Sequence, residues 1–256
     1  MFDNRAMRPI ITLLTDFGTV DGYVGEMKGV LLSSVPNAEI VDITHDIPPQ
    51  DVERARLVVA RVWRRFPVGT IHIVVVDPGV GSARAALAVA SEGRYLLGPD
   101  NGTLSPALLV SSARAVELPI AANASLTFHG RDVFAPAAAA LARGEPFEGL
   151  GADARSPTIR RTPEPTRRAD GTLDGEVLIV DRFGNAVTNL VGMRGGTVEV
   201  GTVGIAVRRT YAEVDPGQLV AVVGSTGFIE IAARDGNAAD LLHLTRGSPV
   251  TLKTSR

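Results

Sequence analysis

The chain has no cysteine, which excludes disulfides, thiolate metal sites and a cysteine nucleophile together. Its four histidines, His45, His72, His129 and His243, are scattered, and no two stand at zinc-site spacing. No metal is expected. No apolar run is long enough to span a bilayer, and the start Met1-Phe2-Asp3-Asn4-Arg5-Ala6-Met7-Arg8 lacks the apolar stretch of an export signal. A basic stripe is missing too. Net charge is −2 and the pI near 6.1, so nucleic acid is not an expected partner. The phosphate-cradling pattern G-x-x-x-x-G-K-S/T is absent. Gly79-Val80-Gly81 begins like a dinucleotide loop but breaks the G-x-G-x-x-G pattern at Arg84. These absences weigh against a nicotinamide enzyme and an ordinary methyltransferase, and the expectation is a soluble, cytoplasmic enzyme.

What is present is apolar material in short, punctuated runs. The 256 residues are 45% hydrophobic, enough for one large domain or two smaller ones. Ile10 to Thr15 reads as a buried strand, Gly22 to Val35 as a helix, and Glu39 to Thr44 as a second strand. Asp51 caps a helix predicted over Val52 to Phe66, whose Val52, Ala55, Val59, Val62, Trp63 and Phe66 share one face. Thr70 to Val76 is a third strand. This alternation predicts an α/β domain with a largely parallel sheet between helices over residues 8–155. Ala85 to Ala90 and Tyr95 to Gly98 read as a strand pair, Ser105-Pro106 opens a short helix, and Arg131 to Arg143 forms another. Residues 156–172, rich in proline and arginine, read as a linker. Beyond them, short β-like runs separated by Gly, Asn, Asp and Pro predict an all-β, barrel-like domain over 173–256.

In an α/β sheet, ligands gather beyond the carboxyl ends of the strands. Three predicted strands end in acidic loops: Thr15-Asp16-Phe17-Gly18 with Asp21, Asp42-Ile43-Thr44-His45-Asp46, and Asp77-Pro78-Gly79-Val80-Gly81. Each aspartate alone serves equally as a turn former or cap, but Asp16, Asp21 and Asp77 at one sheet edge point to a site. The turn between Asp77 and Arg84 can fold back and bring the two together. By spacing alone the pair reads as well as a structural ion pair as a functional one. His129, in Thr127-Phe128-His129-Gly130-Arg131-Asp132, has by itself the standing of an ordinary structural histidine.

Taken in order, Thr15-Asp16-Phe17-Gly18 with Asp21-Gly22, Asp77-Pro78-Gly79-Val80-Gly81 with Arg84, Pro99-Asp100-Asn101-Gly102, Thr127 to Asp132, and Asp181-Arg182-Phe183-Gly184-Asn185 resemble the S-adenosyl-L-methionine hydroxide adenosyltransferases. These are relatives of the fluorinase and chlorinase that make 5′-halo-adenosines. The motifs run from residue 12 to about residue 244. The resemblance implies hydrolysis of S-adenosylmethionine to adenosine and L-methionine by displacement at the ribose C5′. It further implies no cofactor, and a homotrimer whose active sites lie between the α/β domain of one subunit and the β-domain of a neighbour. It assigns Asp77, Arg84 and His129 to the polar triad that holds the attacking water, where the halogenases carry uncharged residues. It assigns Asp16 to the ribose hydroxyls, Asp21 and Asp181 to the methionine ammonium, and Ser225 to its carboxylate. Phe183, Asn185 and Tyr211 fall where the adenine is stacked and hydrogen-bonded. Two positions depart from the family pattern: relatives commonly have asparagine before the serine of Ser225-Thr226-Gly227, where this chain has Gly224, and asparagine near Arg234.

The residue types suit that chemistry. The leaving group is a neutral thioether, so no general acid is required, and attack destroys charge, which a dry pocket favours. What is needed is a water in line with C5′ at roughly 3–3.5 Å. An aspartate carboxylate is a weak base, weaker beside a guanidinium. Arg84 and His129 are therefore expected to orient the water while Asp77 fixes the constellation and takes the proton late. Two other readings are a non-catalytic sensor of S-adenosylmethionine or adenosine, which would not need the triad, and a 5′-halogenase, disfavoured because Asp77 repels an anion. A metal-dependent hydrolase built on Asp16, Asp77 and His129 lacks a compact ligand motif.

Overall fold

A computed structural model describes residues 8–192 and 195–253; the opening residues 1–7, read above for an export signal, lie outside that range. The chain divides into two units between Arg161 and Thr162.

The first unit begins with the expected alternation: β1 (Ile10–Thr15), α1 (Tyr23–Ser34), β2 (Glu39–Thr44), α2 (Val52–Val62) and β3 (Ile71–Val75). It continues with β4 (Ala86–Ser91), β5 (Arg94–Pro99), α3 (Ser105–Leu108), β6 (Arg114–Glu117), α4 (Ala135–Ala142) and β7 (Ala152–Asp153). One mixed sheet results, in the order β2-β1-β3-β5-β4-β6-β7. Strands β2, β1, β3 and β5 are parallel neighbours, and β4, β6 and β7 extend the sheet antiparallel. Two-residue periodicity sorts the side chains. Ile11, Leu13, Ile73 and Val75 meet Met27 and Leu31 of α1 and the alanines of α4. Leu14, Val74 and Val76 turn to the other face, against Val52, Ala55, Val59 and Trp63. The near-continuous burial of β1 and β3 is what helices on both faces impose. Asp51 caps α2 as expected, its side chain accepting from Arg54 N.

The second unit contains β8 (Thr166–Arg167), β9 (Leu173–Val180), β10 (Ala186–Val191), β11 (Thr197–Val200), β12 (Val203–Arg208), β13 (Leu219–Val223), β14 (Phe228–Ala233), α5 (Ala238–Leu242) and β15 (Pro249–Lys253). Strands β10-β14-β13-β12-β11-β15-β9 form a ring closed by the pairing of β9 with β10, and β8 adds to β9 outside it. Closure removes the exposed edges of an open sheet. Val177, Leu190, Val198, Ile205, Ile229, Ile231 and Leu252 fill its core, joined by Ala238 and Ala239 of α5.

The stretch 156–172 is tied down on both sides of the division. Thr158 N donates to Asp100 Oδ1 at 2.7 Å and Arg160 N to Ser105 Oγ at 2.8 Å, while β8 pairs with β9. Among the described residues, no helix is long and apolar enough to cross a membrane.

Candidate active site

The strand order places β1 between β2 and β3, so the chain leaves β1 toward one side and later returns on the other. A crevice beyond the carboxyl ends of the strands is expected at such a switch point. Thr15 and Val75 are in register on neighbouring strands, which sets Asp16 and Asp77 side by side just past the sheet. A cleft of about 380 Å³ opens there, lined by Asp16, Phe17, Tyr23, Asp77, Phe128 and His129 among others.

Asp77 and Arg84 are brought together by the intervening turn. Val80 N donates to Asp77 O and Ser82 N to Gly79 O, and Ser82 Oγ accepts from Arg84 N at 3.3 Å. Gly81, with φ +76°, lies so close to the segment before His129 that a Cβ would sit 2.4 Å from the Leu126 carbonyl oxygen. Glycine there lets the turn press against the strand of chain carrying His129. At the turn's start, Asn101 Nδ2 holds the Val76 carbonyl at 2.8 Å. The Arg84 guanidinium grips the Asp77 carboxylate with two donors, Nε to Oδ1 at 3.0 Å and Nη2 to Oδ2. Nη2 also lies 2.8 Å from His129 Nδ1. The side chains of Asp77 and Arg84 are 5% and 10% exposed, so the bidentate pairing is what makes their burial tolerable.

The contact with Arg84 decides the state of His129. A guanidinium only donates, so Nδ1 accepts and the ring proton resides on Nε2. Burial, then the charge of Arg84, holds the imidazole below its ordinary protonation range. Nε2 is buried and, among the described residues, has no hydrogen-bond partner. His129 thus offers a fixed N–H on a ring that lines the cleft. It opens a wide turn, Gly130–Phe134, that continues into α4, an irregularity frequent at functional sites. The loop before it is locked by Asp132, whose Oδ2 accepts from Ser125 N at 2.8 Å.

Asp16 lines the same cleft. Its Oδ2 accepts from Gln50 N at 2.7 Å. Burial raises its carboxyl above the usual range, the Gln50 amide opposes the rise, and the charge of Asp77 adds to it. Gln50 holds φ +66° and was not singled out from the sequence; Pro48-Pro49 ahead of it was the available signal of an unusual turn. Asp21 is exposed on the loop before α1 and is not among the residues lining the cleft.

The remaining expected residues lie in the second unit. Asp181 Oδ1 accepts from Phe183 N and Asn185 N at 2.8 and 2.9 Å, and its Oδ2 accepts from Asn185 Nδ2 at 3.0 Å. That turn presents Phe183 to solvent, 75% exposed. The Tyr211 hydroxyl donates to Glu230 Oε2 at 2.9 Å, and burial with the Glu230 carboxylate pushes its pKa up to about 12. Ser225 is exposed in the turn between β13 and β14. Glu230 was not anticipated, although a glutamate inside the apolar run Phe228–Ala233 was a legible sign. Its carboxylate also explains Gly224, because a Cβ there would lie 1.9 Å from Glu230 Oε1. Arg234, the other departure, uses Nη1 to hold the Val214 carbonyl at 2.8 Å. Among the described residues, no group of three or more His, Asp or Glu side chains is gathered as a metal site would require.

Comparison with known proteins places this geometry. The chain matches the model of the SAM hydroxide adenosyltransferase N-terminal domain over residues 11–151 and that of the C-terminal domain over 175–251. The chain belongs to the SAM hydroxide adenosyltransferase family. It is 43% identical over 259 residues to the (R)-S-adenosyl-L-methionine hydrolase of Thermus thermophilus, covering 96% of this chain and 100% of that one. A fluorinase of Actinopolyspora mzabensis is more distant, 28% identical over 97% of this chain and 98% of its own. A crystal structure of an uncharacterized conserved protein from Thermotoga maritima superposes with a TM-score of 0.86 at 36% identity, covering 94% of this chain and 99% of that chain.

Proposed function

We propose that this chain hydrolyses S-adenosyl-L-methionine to adenosine and L-methionine by in-line attack of water at the ribose C5′. The observation that carries the reading is the buried Asp77–Arg84–His129 constellation on a cleft at the sheet's switch point. The names of the hydrolase relatives support it. In the reaction, the water oxygen forms a bond to C5′ as the C5′–S bond breaks, and the bonding pair stays on sulfur as the thioether of methionine. One proton leaves the attacking water. The fixed Nε2–H of His129 donates to the incoming oxygen and aligns it, and that oxygen becomes acidic as its bond to C5′ forms, so a weak base is enough to take the proton. In this tautomer His129 cannot also take the proton, which leaves Asp77 as the acceptor late in the step. Arg84 serves twice, holding Asp77 in place and fixing the imidazole. Asp16 holds the ribose hydroxyls and Asp21 the methionine ammonium.

The same reading makes the chain a cytoplasmic homotrimer that needs no cofactor. Asp181, Phe183, Asn185, Tyr211 and Ser225 of one subunit then serve the cleft of a neighbour, Asp181 and Ser225 toward the methionine and the others toward adenine. Incubation of the purified protein with S-adenosylmethionine in oxygen-18 water tests the chemistry. Adenosine labelled at the 5′-oxygen is expected. Unlabelled adenosine, S-adenosylhomocysteine or unchanged substrate would overturn the proposal.

A further inference from the structure

The cleft holds a feature that the hydrolytic step does not use. Phe17 from the loop after β1, Tyr23 at the start of α1 and Phe128 beside His129 touch one another, with ring centroids 5.8, 5.8 and 5.3 Å apart and planes tilted or edge-to-face. All three line the cleft. Gly130 allows the cluster to form, since a Cβ there would lie 3.1 Å from Met27 Sδ, 3.3 Å from Phe128 Cε2 and 3.5 Å from Phe17 Cε2. The ionised side chains that line the cleft have one sign. The lining includes the carboxylates of Asp16 and Asp77 and contains no lysine or arginine. Asp16 is met by a backbone amide rather than by a cation. One ring face is already used in this way, because the Arg131 guanidinium lies 5.0 Å from the Phe128 centroid.

Aromatic faces beside carboxylates, with no cationic side chain in the lining, form a surface for a cation that carries no N–H or O–H. A sulfonium is such a cation, and it can be recognised through charge and ring faces but not through a donated hydrogen bond. We propose that Phe17 and Tyr23, backed by Phe128, form a wall that holds the positively charged sulfur and selects the sulfonium over the neutral thioether. The inference rests on the hydrolytic reading and deepens it. Because the charge on sulfur disappears as the C5′–S bond breaks, the contact is stronger with the bound substrate than in the transition state. Its removal therefore raises KM and leaves kcat unchanged or higher.

The test compares wild type, Tyr23→Leu, Phe17→Leu and Tyr23→Phe, each checked for native circular dichroism. The readouts are kcat and KM for S-adenosylmethionine and the inhibition constant of S-adenosylhomocysteine, which lacks the charge. Each leucine variant is expected to raise KM roughly 2- to 30-fold, with kcat unchanged or higher and the thioether constant within about twofold of wild type. Tyr23→Phe, which keeps the ring, is expected to behave as wild type. An equal weakening of both ligands would reduce the wall to packing, and unaltered KM in both leucine variants would remove it. If the wild type releases no adenosine, the hydrolytic reading fails instead, and calorimetric affinities for the same two ligands still decide the wall.

Discussion

Replacing Arg84 with methionine keeps an unbranched side chain but removes both donors to Asp77 and the partner of His129 Nδ1. Asp77, 5% exposed, is left as a buried carboxylate without its counter-charge. Removing one member of a buried pair costs about 3–5 kcal/mol, chiefly through the stranded charge. In a chain of this size about 1 kcal/mol moves the melting temperature by about 2–4 °C, so Arg84→Met should melt about 6–20 °C below wild type. Adding Asp77→Asn removes the stranded charge, and the double variant should recover about 2 kcal/mol or more of that loss. Activity responds differently. Both variants lose the constellation and are expected to retain little turnover, so the double variant regains stability without regaining catalysis. Thermal and urea melts of the three proteins, read beside steady-state rates of adenosine release, give both answers. A wild-type melting temperature for Arg84→Met, or a double variant less stable than the single one, would refute the argument from the buried ion pair.

His129 acts in its neutral form, and burial and Arg84 hold it below its ordinary range. The acid limb of kcat/KM should therefore lie below pH 6.5 and activity should be flat across neutral pH, as a pH–rate profile will show; a limb above pH 6.5 would contradict the assignment. His72 is buried on β3 with Nδ1 2.7 Å from Thr12 Oγ1, and burial, then the charge of Arg94, lowers its pKa from 6.5 to about 4. The unfolded chain takes up a proton below pH 6.5 that the native state refuses until about 4, so stability falls as pH drops through that window, by about 3 kcal/mol in all. His72→Gln should flatten that part of the urea-stability profile. Gly224→Asn places a side chain where the Glu230 carboxylate lies and should displace it from Tyr211. The expected result is weaker adenosine binding by calorimetry with the melting temperature little changed. Chloride or fluoride added to the reaction should yield no 5′-halo-adenosine by mass spectrometry, because Asp77 repels an anion.

Local pattern in the sequence determined a good deal of this protein. The alternation of apolar runs with capped amphipathic stretches specifies β1 through β3 and their helices, because burial on both faces of a sheet demands unbroken Ile, Leu and Val. The turn residues of the second half likewise mark most of its strands. Four strands were not legible: Arg114–Glu117 and Ala152–Asp153, short segments at one end of the sheet, Thr166–Arg167, read as linker, and Ala186–Val191. The last of these carries Thr188 and Asn189 inward, where Thr188 donates to the Ile229 carbonyl and Asn189 pairs with Glu176 N and the Pro163 carbonyl, partners distant in sequence.

The site divides along the same line. Motif order marked Asp77, Arg84 and His129, and spacing alone left the first two as readily a structural ion pair as a functional one. The tertiary structure made them a unit, because Gly81 packs against Leu126 and carries Arg84 Nη2 to His129 across 45 residues of chain. That single contact also set the histidine's tautomer. Hydrogen-bond direction depends on which atoms meet, and no pattern along a chain contains it. The packing of Phe128 onto Phe17 and Tyr23 has the same origin, in the meeting of residues far apart in sequence that burial brought together.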